Sequence, residues 1–168
     1  MEDPRAVAPG FAAKIATRSS LGRRLSALPR PMVFTNGVFD VLHRGHVTYL
    51  DGARRLGQSL VVGVNSDASA RRLGKGPERP LNPLEDRVAV IAALESVSLV
   101  VAFDEDTPLE LVLACHPDVI VKGGDYNAET TVGAAEVIAW GGRFEAIPLL
   151  PDRSTSALLR RMRAASER

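Results

Sequence analysis

Five short strand-like runs, most of them continuously apolar, constrain this chain most: 32–35, 60–64 (Leu-Val-Val-Gly-Val), 99–103 (Leu-Val-Val-Ala-Phe), 119–122 (Val-Ile-Val-Lys) and 143–148. Most are continuous rather than alternating, which marks strands covered on both faces, as in a parallel sheet. Amphipathic stretches predict helices between them at about 45–56, 67–73, 83–95, 107–114, 131–139 and 155–165. Asn82-Pro83-Leu84-Glu85 and Thr107-Pro108-Leu109-Glu110 each read as a cap residue, a proline in the first helical position and a glutamate three after the cap. Repeated strand–helix units imply an open α/β sheet with right-handed crossovers, here about five parallel strands with helices on both faces. Residues 1–30 are irregular, and Phe11, Ile15, Leu21, Leu25 and Leu28 form a partial helical stripe. The expected organisation is an N-terminal arm over 1–30, whose one helix packs on the domain or on a partner subunit, and a single domain over 31–168.

The totals exclude several classes. A net charge of +1 over 168 residues argues against a protein that wraps nucleic acid. No apolar run approaches the ~20 residues of a membrane span, and the N-terminus lacks a signal-peptide pattern. The single cysteine, Cys115, forms no internal disulfide and suits a reducing compartment, so a cytoplasmic location is expected.

In such sheets ligands bind beyond the carboxyl ends of the strands, where strand order reverses. Each polar cluster of this chain follows a proposed strand. The foremost is His43-Arg44-Gly45-His46, after the turn Thr35-Asn36-Gly37-Val38-Phe39-Asp40. Two imidazoles three residues apart at a helix start share a face with the free amides of the first turn. Gly45 between them leaves room for a phosphate to approach the backbone. Converging ring and backbone donors suit a phosphoryl group whose charge changes during reaction. A metal needs a third and usually a fourth ligand, and only carboxylates such as Asp40 and Asp51 lie nearby in sequence; no metal site is expected.

Further clusters extend the site. Asn65 and Asp67 end the second run, where Asp67 either caps the next helix or orients a sugar hydroxyl or a divalent cation. Lys75 and Arg79 lie in a Gly- and Pro-containing loop, where a movable cation can close over a polyphosphate. Arg87 presents a guanidinium fork suited to phosphate. Lys122, Gly123 and Asp125 follow the fourth run, and Arg153-Ser154-Thr155-Ser156 opens the last helix as a second anion pocket. Neither a P-loop nor a Gly-x-Gly-x-x-Gly dinucleotide motif is present.

The His43-x-Gly-His46 element after Asn36-Gly-Val-Phe-Asp40, with Arg153-Ser-Thr-Ser156 near the C-terminus, resembles the HxGH nucleotidyltransferase superfamily of cytidylyltransferases and adenylyltransferases. Val64-Asn-Ser-Asp67, Arg79-Pro-Leu-Asn-Pro-Leu-Glu-Asp-Arg87, Glu105-Asp-Thr-Pro108 and Val121-Lys-Gly-Gly-Asp-Tyr126 look more closely like the adenylyltransferase domain of bacterial ADP-heptose synthesis, in its form without a fused sugar kinase. The resemblance runs from about residue 32 to 163. It implies a Rossmann-like sheet, a homodimer, Mg²⁺ dependence, and transfer of AMP from ATP to D-glycero-β-D-manno-heptose 1-phosphate for lipopolysaccharide core assembly.

On this reading His43, His46, Lys75 and Lys122 act in catalysis. Thr35, Asn36, Gly37, Phe39, Gly45, Gly123, Asp125, Arg153, Ser154, Thr155 and Ser156 hold the nucleotide, and Asp40, Asn65, Asp67, Arg79 and Arg87 hold the sugar phosphate. A phosphate ester is already largely ionised at neutral pH, its second pKa being about 6. The histidines are therefore expected to donate hydrogen bonds, partly as cations, and not to act as general bases. A cytidylyltransferase for glycerol 3-phosphate or a related polyol phosphate is the nearest alternative, and a non-catalytic nucleotide-binding module the alternative of another class.

Overall fold

A computed structural model describes residues 8–74, 76, 78–151, 155 and 158. Its elements are β1 (Ile15–Ala16), α1 (Leu21–Ser26), β2 (Met32–Gly37), α2 (Arg44–Arg54), β3 (Ser59–Asn65), α3 (Asp67–Arg72), α4 (Leu84–Ala92), β4 (Leu99–Phe103), α5 (Leu109–Cys115), β5 (Val119–Gly123), α6 (Ala134–Ala139) and β6 (Arg143–Ile147). The strands form one sheet in the order β1-β4-β3-β2-β5-β6, and every pairing is parallel. The five apolar runs all become strands, and β3, third from the edge, is buried along its whole length. A Rossmann-like sheet with helices on both faces is what the pattern required.

The sixth strand was not expected. Ile15 and Ala16 pair with Val100 and Val101 at the sheet edge, so the arm extends the sheet itself. A two-residue strand is too short to carry an alternation or run that periodicity can detect. Phe11 and Ile15 pack against one core layer, while Leu21 and Leu25 of the arm helix pack on the other. The arm's helix therefore docks on the domain, one of the two expected destinations.

Two core layers sandwich the sheet. Tyr49, Leu50 and Ala53 of α2 join Val88, Ile91 and Ala92 of α4 on one face. Leu111, Val112 and Cys115 of α5 join Ala134 and Val137 of α6 on the other. Helix starts differ from the sequence reading: α4 and α5 begin after Pro83 and Pro108, and neither has a side-chain cap. Asn82 is drawn away from that role because its side chain donates to the carbonyl of Asp40 at 2.5 Å. Helix α6 starts three residues late because Gly133 has φ +89°, where a Cβ would also meet Val112 at 2.9 Å. The helix expected at 155–165 lies outside the described residues apart from Thr155 and Leu158.

Strand order reverses about β2: the chain runs outward through β3 and β4, then returns to place β5 on the other side. Loops leaving β2 and β5 thus part to opposite faces and open a crevice at the sheet's carboxyl edge.

Candidate active site

A cleft of about 530 Å³ occupies that crevice. Its floor is Asn36, Gly37, Lys122 and Gly123 from the ends of β2 and β5. One wall carries His46 and Tyr49 of α2, and another carries Thr107, Pro108 and Thr131 beside α5.

His43 is the N-cap of α2, with extended backbone, and its Nδ1 accepts the Gly45 N–H at 3.1 Å. That bond leaves Nε2 carrying the proton of the neutral ring. Partial burial lowers the His43 pKa below its ordinary 6.5 by disfavouring the charged form. The expectation of a partly cationic pair is corrected for His43: the local geometry favours a neutral Nε2–H donor. The His43 and His46 rings stack with centroids 3.9 Å apart and planes 23° from parallel, a spacing that further disfavours two simultaneous positive charges. Phe39 packs its ring edgewise on His46 at 5.4 Å. Phe39 itself sits at φ +48°, a costly conformation for a bulky residue, held because the surrounding contacts over-determine it.

The first-turn amides are less available than the sequence suggested. Gly45 N–H is held by the His43 ring, and the amides of His46 and Val47 both bond the His43 carbonyl. Gly45 is buried and serves to lock the ring; the expected backbone contact with nucleotide is not what its amide is arranged for.

Lys122 donates from Nζ to Asn36 Oδ1 at 2.6 Å and to the Asn36 carbonyl at 3.2 Å. Its ammonium thus bridges the two strand ends on the cleft floor. Below it, Thr35 Oγ1 and the Tyr49 hydroxyl share a hydrogen bond at 2.7 Å, and the Val121 carbonyl, 3.0 and 3.1 Å from them, accepts from whichever of the two is not donating to the other. Burial pushes the Tyr49 hydroxyl up to a pKa of about 12, so it stays protonated. Thr35 is completely buried and outside the cleft lining, so its nucleotide-binding assignment is corrected: it ties α2, β2 and β5 together.

The carboxylates and arginines chosen for the sugar phosphate mostly hold one another. Asp40 is buried; it pairs with Arg79 and accepts the amides of Leu81 and Asn82 at 2.8 and 2.9 Å. Both residues border the cleft, yet the Asp40 carboxylate is occupied in fixing the loop before α4. Arg87 is wholly buried: it donates to the carbonyls of Val38 (2.6 Å) and Asn82 (3.0 Å) and to Asp67 Oδ1 (2.7 Å). Its fork is filled by protein, which overturns the phosphate reading. Asp67 is not the α3 cap; Ser66 takes that place by accepting the Ser69 amide. Asp67 borders a separate, largely apolar hollow lined by Ile15, Leu84 and Val88.

Asn65 lines the cleft and donates to Ser69 Oγ at 3.0 Å. Gly123 lines it as well, and a Cβ there would meet Leu149 at 2.5 Å. Asp125 is exposed and outside the lining. Thr155 reaches the cleft, its hydroxyl 3.4 Å from the Val41 carbonyl. Lys75, Arg153, Ser154 and Ser156 lie outside the described residues. Sequence reasoning missed Tyr49, Thr107, Thr131 and Leu149, all of which line the cleft. Only Tyr49 left a signal, lying one turn beyond His46 on the same helix face.

Among the described residues, no three His, Cys, Asp or Glu side chains group closely enough to hold a metal ion.

His46 lines the crevice at the strand-order reversal, and His43 stacks on its ring without itself lining the cleft. The cytidylyltransferase-like family matches residues 34–148. This chain belongs to the cytidylyltransferase-like family. As a family member it is a nucleotidyltransferase. A relative from Bordetella bronchiseptica, named D-beta-D-heptose 1-phosphate adenylyltransferase, is 57% identical over 155 residues, covering 91% of this chain and 96% of its own length. The bifunctional protein HldE of Magnetococcus marinus is 53% identical over 141 residues, covering 84% of this chain but 29% of that longer protein. Among solved structures, a lipopolysaccharide core biosynthesis protein from Thermoplasma volcanium aligns with a TM-score of 0.58 at 30% identity, covering 71% of this chain and 95% of that one.

Proposed function

We propose that this enzyme transfers the AMP moiety of ATP to D-glycero-β-D-manno-heptose 1-phosphate, giving ADP-heptose and pyrophosphate for lipopolysaccharide core synthesis. The reading is carried by His46 on the crevice wall with His43 stacked on its ring, and supported by the near full-length likeness to a heptose 1-phosphate adenylyltransferase. An oxygen of the sugar phosphate attacks the α-phosphorus in line. The new P–O bond forms as the bond from the α-phosphorus to the bridging oxygen breaks, and pyrophosphate leaves with the electron pair. No proton has to be removed, because the attacking ester is ionised at neutral pH with a second pKa of about 6.

His43, through Nε2–H, and His46 donate to the oxygens that gather charge on the α-phosphate and the departing pyrophosphate. Each well-placed donor of this kind is worth about 2.7–4 kcal/mol of barrier. Lys122, fixed by Asn36, offsets repulsion between the two polyanions, with Lys75 and Arg153 as further cations. Mg²⁺ belongs to this reading as the ion that neutralises the triphosphate. A homodimer in the cytoplasm completes it; no helix among the described residues is long and apolar enough to cross a membrane.

Pyrophosphate release should be measured with ATP and CTP against heptose 1-phosphate, glycerol 3-phosphate and other sugar phosphates. Turnover only with ATP and heptose 1-phosphate is expected. Preference for CTP or for glycerol 3-phosphate would overturn the assignment while leaving the family intact. Light scattering on purified protein tests the dimer, and a monomer at working concentration would remove it.

A further inference from the structure

We propose that the Thr131 hydroxyl reads a hydroxyl group of the sugar-phosphate acceptor, making Thr131 a specificity-determining residue. The inference rests on the acceptor reading above and adds which wall of the cleft takes the sugar.

Thr131 lines the cleft and is 5% exposed, and its Oγ1 is buried with no hydrogen-bond partner among the described residues. Buried hydroxyls are nearly always matched, so an unmatched one on a binding wall points to a partner that arrives with the ligand. Its neighbour shows the contrast. Thr130 Oγ1 is held by Asn127, lying 3.0 Å from Oδ1 and 3.3 Å from the carbonyl. The backbone is fixed on both sides: Asn127 Oδ1 accepts the Thr130 amide, the Thr131 carbonyl accepts the Ala134 amide, and Gly133 abuts Val112. What remains adjustable is the Thr131 side chain. Rotation about χ1 between staggered wells re-aims the hydroxyl without moving the loop.

The position selects the ligand. His46 and Thr155 line the crevice together with Tyr49 of α2, the side where the triphosphate chemistry is assigned. Thr131, just ahead of α6, lines the cleft from the side of the other core layer, as do Thr107 and Pro108 at the entry to α5. A hydroxyl can both donate and accept, which suits the vicinal hydroxyls of a sugar better than phosphate or a purine face, and separate KM values for acceptor and ATP distinguish the acceptor's sugar from the ribose.

The test is Thr131→Val, close in shape and lacking the hydroxyl. The KM for heptose 1-phosphate should rise about 3- to 10-fold, the range of a single neutral hydrogen bond. The KM for ATP should stay unchanged, the Tm should hold or rise, and Thr131→Ser should restore the acceptor KM. Deoxy analogues of the acceptor complete a cycle. One of them should show the same loss on wild-type protein, and Thr131→Val should add nothing further with that analogue. Thr131→Ala serves the same cycle if the valine protein does not fold. A wild-type acceptor KM in the folded variant, or a rise confined to ATP, overturns the inference. If wild-type protein fails to turn over heptose 1-phosphate at all, the acceptor reading falls first; if it turns over and the valine variant matches it, only the role of Thr131 falls.

Discussion

Replacing Arg87 by methionine separates a structural arginine from a phosphate ligand, two roles that the sequence alone does not distinguish. The wild-type guanidinium is fully buried and fills its donors with the Val38 and Asn82 carbonyls and with Asp67. Methionine keeps an unbranched apolar stem but strips both carbonyls of a charged donor. A buried acceptor left unmatched costs about 1–3 kcal/mol. Asp67, with its side chain 31% exposed, regains water and adds little to the cost. The expected loss is therefore about 3–4 kcal/mol, chiefly from the two carbonyls. For a chain of this size that lowers Tm by about 6–16 °C. Thermal melts followed by circular dichroism give this number. Pyrophosphate release at low temperature, where the variant remains folded, should show KM values for both substrates within about 3-fold of wild type, because no ligand contact has been lost. An unchanged Tm with a KM raised tenfold or more would refute the reasoning and return Arg87 to the binding site.

Three other outcomes follow from the geometry. His46→Ala should lower kcat at least ~100-fold with little change in ATP affinity, since it removes one transition-state donor; an unchanged kcat in folded protein would exclude the role. Asp40→Asn should weaken the loop of residues 79–82, because the amide keeps one acceptor for Leu81 and Asn82 but loses the ion pair with Arg79. Limited proteolysis should detect faster cleavage there, and wild-type resistance would refute the anchoring. The third outcome concerns pH. Unfolded His43 binds a proton near its ordinary pKa of 6.5, whereas the folded ring does so only at lower pH because burial opposes the charge. Stability from this group is complete above 6.5 and is lost as pH falls toward the folded value. Urea midpoints across that window should decline in wild type and decline less in His43→Gln; parallel curves would show that His43 is not responsible.

Much of the fold was legible because both of its signals are local. Runs at 60–64 and 99–103 carry their own burial, since a strand covered on two faces needs no polar alternation. The histidine pair was legible for the same reason: a spacing of three at a helix start sets a shared face without tertiary help. The edge strand Ile15–Ala16 was not, because two residues become a strand only when Val100 and Val101 offer a ladder.

The division is sharpest among the charged residues. Sequence by itself determined the parallel α/β architecture, the crevice beside the first histidine helix and the types of donor gathered there. Only the tertiary structure decided which of those donors remain available to a ligand. Arg87 and Asp67 stand 20 residues apart in the chain yet neutralise each other, and Thr35, adjacent to Asn36, faces the core instead of the cleft. A residue's hydrogen-bonding capacity is written in its chemistry, but its partner depends on which element packs within 3 Å of it, and long-range packing alone sets that distance.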